Sequence, residues 1–412
     1  MARLALKGGE PVRKEPFPEW PVCNQQELEA VTSVIKSGNW FRARGHMVDD
    51  FEAEFAQFQK ASYAIAVTNG SHAIEVALAA LGIGPGDEVI VPDYTFMATA
   101  SAVLYSNAVP IFVDVDEKTF CIDPKKVEDA ITERTKAIIP VHFAGHPADL
   151  DALDRIVSQH RLNWIEDSAH AHGAEWNGKK IGTFANLGTF SMQASKTMTA
   201  GEGGAIITND KTLAEECASI ANCGRRKGEH NYRHFRLASN YRMTELQAAI
   251  LRVQLRRLPE HLDLRNKNAR YLTEQLQSIP GIITQQRDSR VTIQGLYLYP
   301  FLYEEEHFEG LPRDMFARAL KAEGMPVERA YPALHEVEMF TERRFRPRGC
   351  PVDCPYYQGR FQLNPEDFPV SSRLSRQMVW ISHRALLGNT SDMDTIVEAI
   401  WKIRRNCSEL LT

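Results

Sequence analysis

A single lysine in a turn between two predicted strands is the residue best suited to covalent chemistry. Residues 187–191 are apolar and β-prone and predict a short strand, and residues 205–208 predict a second strand. The polar turn between them holds Lys196 and is followed by three glycines. A lysine amine has an ordinary pKa of about 10.4 and becomes a good nucleophile when burial or a nearby cation lowers that pKa. This stretch alone does not distinguish a nucleophilic amine from an ordinary exposed lysine.

Two further stretches place polar groups where predicted strands end. Asp167 comes just after a short apolar run, and side chains past the carboxyl end of a strand point into the ligand crevice of an open α/β sheet. A carboxylate there suits the nitrogen of a pyridinium ring. Gly70 and Ser71 form the turn before an Ala/Leu-rich helix, whose first backbone N–H groups can bind a phosphate. Together with Lys196, these groups are the set that serves pyridoxal phosphate.

Strands and helices alternate along the first half of the chain. Strands are predicted at residues 63–67, 88–91, 109–113, 137–141, 164–166, 188–191 and 205–208, with helices such as 73–81 and 150–159 between them. This alternation predicts an α/β fold with a mainly parallel sheet and helices on both faces. A long helix is expected from residue 243 to 258, resuming beyond a break at Pro259. We expect an N-terminal arm (residues 1–24), a large domain (25–264) and a smaller C-terminal α+β domain (265–412).

Composition excludes several classes of partner. The 412 residues include 48 basic and 53 acidic side chains, with a net charge of −5 and no long run of one sign, which argues against nucleic acid or an anionic membrane as the main partner. No signal peptide or membrane span is recognisable, and the seven scattered cysteines suggest reduced thiols, so a cytoplasmic protein is expected. Cys350 and Cys354 lack a second Cys/His pair, so we expect a loop there and no metal site.

Three motifs resemble the DegT/DnrJ/EryC1/StrS family of sugar and cyclitol aminotransferases. They are IEDSAHAHGA (165–174), SKTMTAGEGGA (195–205) and SNYRMTELQAA (239–249), and the similarity extends from residue 8 to about residue 387. The resemblance implies a fold-type I transferase like aspartate aminotransferase, with a mainly parallel central sheet and a smaller C-terminal α+β domain. It also implies pyridoxal 5'-phosphate as cofactor and a homodimer with shared active sites.

The resemblance assigns roles to single residues. Lys196 matches the Schiff-base lysine, which also serves as the general base, and Asp167 matches the partner of the ring nitrogen. The remaining cofactor contacts that it implies are Gly70, Ser71, His72 and Ser191 at the phosphate, Phe96 stacked on the ring, His170 near the ring hydroxyl, and Asn240, sent from one subunit to the phosphate of the other. At His170 many relatives carry glutamine. Phe96 as a core residue and Asn240 as the cap of the helix near residue 243 are the structural alternatives.

The resemblance also bears on the substrates. The family uses glutamine or glutamate as the amino donor. The arm motifs GGEP (8–11) and FPEWP (17–21) and the segment VWISHRALL (379–387) resemble the cyclitol and aminohydroxybenzoate branch, which makes His383 a candidate acceptor contact, with a structural histidine as the alternative.

The expected acceptor is a small cyclic ketone, a cyclitol or a keto sugar. A nucleotide-linked keto sugar and a 3-amino-5-hydroxybenzoate precursor are the alternatives within the family. The family's dehydratases carry histidine in place of the lysine, and Lys196 argues against that reaction. A non-catalytic regulatory protein that binds the cofactor is the alternative from another class. The basic loop 223–236 is either a substrate lid or a solvated surface.

Overall fold

A seven-stranded mixed sheet forms the centre of the molecule. The computed structural model describes residues 3–226 and 232–411. The strands are β1 (Tyr63–Val67), β2 (Glu88–Pro92), β3 (Val109–Val113), β4 (Thr135–Ile138), β5 (Asn163–Asp167), β6 (Glu175–Trp176), β7 (Lys179–Lys180), β8 (Leu187–Ser191), β9 (Gly204–Thr208), β10 (Ile282–Thr284), β11 (Val291–Ile293), β12 (Leu298–Tyr303), β13 (Val327–Glu328) and β14 (Met378–Ser382). The central order is β1-β9-β8-β5-β4-β2-β3, and only β9 runs against its neighbours. The mainly parallel α/β architecture is therefore confirmed.

Helices cover both faces of this sheet. They are α1 (Gln25–Ser37), α2 (Met47–Gln59), α3 (Gly70–Ala80), α4 (Ala98–Tyr105), α5 (Pro124–Asp129), α6 (Leu150–His160), α7 (Lys211–Ala221), α8 (Glu245–Leu276), α9 (Arg313–Ala322), α10 (Glu338–Thr341), α11 (Pro369–Gln377), α12 (Thr390–Arg405) and α13 (Ser408–Leu411). Each face has its own apolar core, one under α2 and α8 and the other under α3, α4 and α7. Such continuous apolar strands, buried on both sides, are typical of parallel sheets.

A third core lies around the C-terminal sheet, whose order is β10-β12-β14-β13 with antiparallel pairs. Leu4 and Phe17 from the N-terminal arm are buried in it, beside α9 and α12. The buried carboxylate of Glu323 accepts hydrogen bonds from the backbone N–H groups of Ala5 and Val12 and pairs with Lys402. The arm is thus fixed to the C-terminal part of the chain. The predicted domain limits stay predictions.

Helix α8 joins the large and C-terminal parts without a break. It is 32 residues long and contains Pro259, where the sequence predicts an interruption. Pro259 is exposed, and loss of one backbone N–H there is outweighed by packing of the apolar face of the helix on either side of it. The N-cap is Thr244, which forms a capping box with Gln247. The alternative role of Asn240 as the cap of this helix is therefore wrong.

Segment 343–369, which the sequence leaves unassigned, packs on the second core. Tyr357 and Phe361 are buried there, and the Tyr357 hydroxyl donates to Glu88. Cys350 and Cys354 are free thiols, and no His/Cys/Asp/Glu group able to hold a metal occurs in the part of the chain that the structure describes. Among the described helices, none is long and apolar enough to cross a membrane. The centre of the basic loop 223–236 lies outside the described residues.

Candidate active site

The Lys196 side chain is buried at the carboxyl edge of the central sheet. It lies in the lysine turn, which we define as residues 193–196, just after β8, and its side chain is 8% exposed. Its Nζ lies 4.0 Å from the centroid of the Tyr297 ring. Burial lowers the pKa of this amine to about 7, against the opposing effect of the Asp167 carboxylate. A substantial fraction of the amine is therefore unprotonated at neutral pH, as a nucleophile or general base requires.

Asp167 is the last residue of β5, the neighbour of β8, and its carboxylate is held on both oxygens. The Thr99 hydroxyl donates to Oδ2 over 2.9 Å, and the backbone N–H of Ala169 donates to Oδ1 over 3.2 Å. Burial raises the pKa of Asp167, while Thr99, Ala169 and the nearby Lys196 cation oppose the rise. A buried carboxylate of this kind gains most from a cationic partner placed directly against it.

The start of α3 comes very close to the end of β8. A Cβ at Gly70 would lie 2.6 Å from the Ser191 Cβ and 3.2 Å from its Oγ, so only glycine allows this approach. Asn69 caps α3 by accepting from the backbone N–H of His72. The Ser191 hydroxyl therefore faces the first turn of a helix, which is an arrangement suited to a phosphate. Ser71 is the next residue of that turn.

His72 is committed to other contacts. Its Nδ1 lies 2.6 Å from the Thr68 hydroxyl, and its ring packs on Tyr241 with centroids 4.5 Å apart. Its backbone N–H donates a hydrogen bond to the Asn69 side chain. Among the three turn residues predicted to bind phosphate, Gly70 and Ser71 are thus the better placed.

Aromatic rings form a wall beside the lysine. The His170 ring packs on Tyr297 at 4.3 Å between centroids and lies 6.5 Å from Tyr331, which in turn is 5.7 Å from Phe96. Phe96 is 50% exposed, so it is not a core phenylalanine. Burial holds the pKa of His170 well below its usual range. Its Nδ1 accepts from the Ala144 N–H, which leaves the ring proton on Nε2 as a donor.

His383 and Asn240 occupy different surroundings. His383 is buried and contacts the lysine turn through the Ser195 carbonyl, so both its ring nitrogens have partners within the chain. Asn240 is exposed, and its side chain accepts from the Arg242 N–H at 3.3 Å. The strand bridge between Val67 and Arg242 brings this segment beside the end of β1. Within one chain, Asn240 makes no described contact with Ser191 or Lys196, and its role stays a prediction.

Several residues of the site have no signal in the sequence that would single them out. Thr99 lies in a helix, while Tyr297 and Tyr331 lie in irregular segments more than one hundred residues from Lys196. Tyr297 also binds the Ser195 hydroxyl through its own hydroxyl, at 2.8 Å. The aromatic type of Tyr297 does not indicate that its hydroxyl binds Ser195.

The donor set fits pyridoxal phosphate. The glycine approach at Gly70 with the Ser191 hydroxyl suits a phosphate, the buried Asp167 carboxylate suits a protonated ring nitrogen, and the Lys196 amine suits an aldehyde. These groups follow the ends of β1, β5 and β8, which meet at one edge of the sheet. The geometry therefore agrees with the chemistry that the sequence predicts.

Similarity to known proteins covers almost the whole chain. Residues 21–353 match the DegT/DnrJ/EryC1/StrS aminotransferase family. A protein of Streptoalloteichus tenebrarius with the provisional name L-glutamine:3-amino-2,3-dideoxy-scyllo-inosose aminotransferase is 41% identical, over 99% of each chain. The L-glutamine:2-deoxy-scyllo-inosose aminotransferase of the same organism is 37% identical, also over 99% of each chain.

A crystal structure of 3-amino-5-hydroxybenzoic acid synthase superposes with a TM-score of 0.86 at 36% identity, over 94% of this chain and 99% of the other. Both the fold and the family implied by the three sequence motifs are therefore confirmed. The chain belongs to the DegT/DnrJ/EryC1/StrS aminotransferase family and is a pyridoxal-phosphate-dependent aminotransferase.

Proposed function

We propose that this enzyme transfers the amino group of glutamine to the ketone of a cyclitol, in the formation of an aminocyclitol. The observation that carries the chemistry is the buried Lys196 amine, with its lowered pKa, next to the Asp167 carboxylate. The substrate class is supported by relatives that are named as glutamine:inosose aminotransferases and match over 99% of the chain. The alternative donor is glutamate, and the alternative acceptor is an aminohydroxybenzoate precursor.

Lys196, Asp167 and the turn at Gly70 have separate roles in this proposal. When bound, pyridoxal phosphate supplies a ring that accepts the electron pair left by removal of the donor's Cα proton. The Lys196 Nζ takes that proton, and in the second half-reaction it delivers one to the former carbonyl carbon of the acceptor. Asp167 keeps the ring nitrogen protonated by supplying the opposite charge, while Gly70 and Ser191 hold the phosphate.

The aromatic wall orients the ring from its edge and face. His170 is held neutral and offers its Nε2–H to an oxygen of the ring, and the exposed Phe96 offers its aromatic face to the ring. The face of the Tyr297 ring contacts the Lys196 amine. These roles of the three side chains belong to the proposal.

The same proposal includes a homodimer in the cytoplasm. Asn240 is exposed, and Leu237, three residues earlier, is fully exposed. An apolar side chain in that position gains from being covered by a second copy of the chain. A partner subunit on this surface would bring Asn240 of one chain to the turn at Gly70 of the other.

Reduction with borohydride tests the role of Lys196. The purified protein is expected to be yellow, and borohydride should fix the cofactor on the peptide that contains Lys196, as read by peptide mass spectrometry. Lys180, which is also buried but pairs with Glu175, serves as the internal control and should stay unlabelled. Recovery of the label on Lys180 or on any other lysine would overturn the assignment.

A screen of donors and acceptors tests the substrates. Glutamine and glutamate are each supplied with 2-deoxy-scyllo-inosose, a nucleotide-linked 4-keto sugar or an aminohydroxybenzoate precursor, and the aminated product is identified by mass spectrometry. We expect product with glutamine and the inosose, and none with the Lys196→Ala variant. Turnover confined to one of the other acceptors would replace the cyclitol in the proposal and leave the aminotransferase chemistry intact.

A further inference from the structure

Two consecutive carbonyl groups just before Lys196 are bound by side chains from distant parts of the chain. The Trp20 indole N–H donates to the Ala194 carbonyl oxygen over 3.1 Å. A ring nitrogen of His383 lies 2.9 Å from the Ser195 carbonyl oxygen. The Trp20 and His383 rings also meet edge to face, with centroids 4.6 Å apart. The lysine turn is therefore held jointly by the N-terminal arm and by the residue that follows β14.

Arg265 determines which nitrogen of His383 faces the turn. The Arg265 Nη2 lies 3.1 Å from His383 Nδ1. A guanidinium only donates hydrogen bonds, so Nδ1 must be the acceptor and the ring proton must be on Nε2. Nε2–H then donates to the Ser195 carbonyl. Burial and the Arg265 cation hold the pKa of His383 well below its usual range, which keeps this neutral tautomer in place.

Arg265 itself is placed at a cost to stability. It is completely buried in α8, and among the described residues no carboxylate pairs with it. Its Nε and Nη1 have no hydrogen-bond partner within residues 3–226 and 232–411, and its guanidinium lies 5.2 Å from the centroid of the Trp20 ring. Burial lowers its pKa to about 9, so it remains charged at pH 7. Since an apolar side chain would fill this space at lower cost, fold stability does not account for an arginine here.

We propose that Arg265, His383 and Trp20 are positioning residues that hold the lysine turn and thereby keep the Lys196 amine in its reactive place. The inference rests on the proposed role of Lys196 and deepens it. His383 acts here through the Ser195 carbonyl, and not by touching the acceptor. Because both half-reactions use the same amine, loss of the two carbonyl contacts slows both by a similar factor.

Substitutions that remove or preserve the contacts test this directly. His383→Leu removes the contact to the Ser195 carbonyl, and Arg265→Met removes the contact that orients His383. His383→Gln keeps an acceptor for Arg265 and a donor for Ser195. Arg252→Met is the matched control, because Arg252 lies on the same helix and pairs with Asp50 and Glu54 of α2. Each half-reaction is followed separately in single turnovers through the absorbance of the bound cofactor. We expect the first two variants to lose roughly a hundredfold in both half-reactions, as displaced catalytic groups do, and the other two to lose little.

A second readout measures the turn without activity. The Lys196 backbone N–H donates to the Gln193 carbonyl over 2.8 Å, and hydrogen–deuterium exchange of the peptide covering the turn reports on this bond. We expect faster exchange there in Arg265→Met and His383→Leu, protection restored in His383→Gln, and no loss of melting temperature in Arg265→Met. Unchanged exchange together with damage confined to the ketone half-reaction would overturn the proposal in favour of a substrate contact.

Trp20→Phe keeps the test decisive if Arg265→Met fails to fold. This substitution removes the indole N–H together with its five-membered ring and preserves a smaller aromatic ring beside His383. Faster exchange of the turn and slower turnover in both half-reactions are expected, and unchanged values of both would reject the proposal. Borohydride labelling of every variant separates the two ideas. Label outside Lys196 contradicts the proposed function, whereas label on Lys196 with no effect of the substitutions contradicts only the positioning role.

Discussion

Asp167 is the residue whose charge can be removed with the least change in shape. Asparagine retains an oxygen for the Thr99 hydroxyl, which now lies 2.9 Å from Oδ2. Asp167→Asn is expected to bind the cofactor and to lose most turnover, about a hundredfold or more, because a neutral amide does not hold the ring nitrogen protonated. Steady-state rates and cofactor content measure the two effects. Asp151→Asn, at the surface beside Arg290, is the control, and near-normal rates in Asp167→Asn would disprove the role.

The titration of Lys196 gives a second prediction at this scale. Its amine has a pKa near 7 because burial lowers the value, while Asp167 raises it. The unprotonated amine is the form that captures an aldehyde, so capture of pyridoxal phosphate by the apoprotein should rise with pH through about 7 and level off above it. In Asp167→Asn the midpoint should shift to lower pH, since the stabilising carboxylate is gone. Absorbance of the bound cofactor measures this capture at each pH. A midpoint near the ordinary lysine pKa would contradict the argument that burial lowers the pKa of Lys196.

At the scale of elements, the close approach of α3 to β8 is set by a single glycine. A methyl group at Gly70 would lie 2.6 Å from the Ser191 Cβ, so the helix start or the strand end must shift. Gly70→Ala is therefore expected to weaken cofactor binding roughly tenfold or more while the protein stays folded. Equilibrium dialysis with pyridoxal phosphate measures the affinity. Gly84→Ala is the control, because its methyl group would have no atom nearer than 3.9 Å, and equal affinities in the two variants would refute the prediction.

At the scale of the whole molecule, the open question is whether one site uses two chains. Lys196→Ala subunits are mixed with Asn240→Ala subunits and allowed to exchange. If Asn240 acts across an isologous interface, a mixed dimer has one site with both lesions and one with neither, and roughly a quarter of wild-type activity should return. If it acts within its own chain, every site keeps one lesion.

Mixing Lys196→Ala with Asp167→Asn provides the negative control. These two residues lie together within one chain, because Asp167 ends β5 and Lys196 follows the neighbouring strand β8, so no mixed dimer contains an intact site. Activity should stay low in that mixture. Exchange of subunits is verified by native mass spectrometry with one isotope-labelled partner. Low activity in both mixtures despite proven exchange would reject the shared site.

Much of the central sheet could be predicted from local sequence, because buried parallel strands leave continuous apolar runs between turn residues. The strands Tyr63–Val67 and Val109–Val113 have the predicted limits. The limits of β4 and the continuity of α8 past Pro259 differ from the prediction, since both depend on packing against neighbouring elements. The segment 343–369 has no local period and takes its shape from the core that it covers.

The sequence by itself determined which groups are the candidates for the chemistry, because Lys196, Asp167 and the turn at Gly70 lie at strand ends, and the ends of parallel strands meet at one edge of a sheet. Tertiary structure alone decided what surrounds them. The low pKa of Lys196 comes from burial, and the Thr99, Tyr297 and Arg265 contacts join segments distant in the chain. No local pattern encodes such contacts, because side-chain burial and hydrogen bonding between remote segments exist only once the sheet, α8 and the arm have packed together.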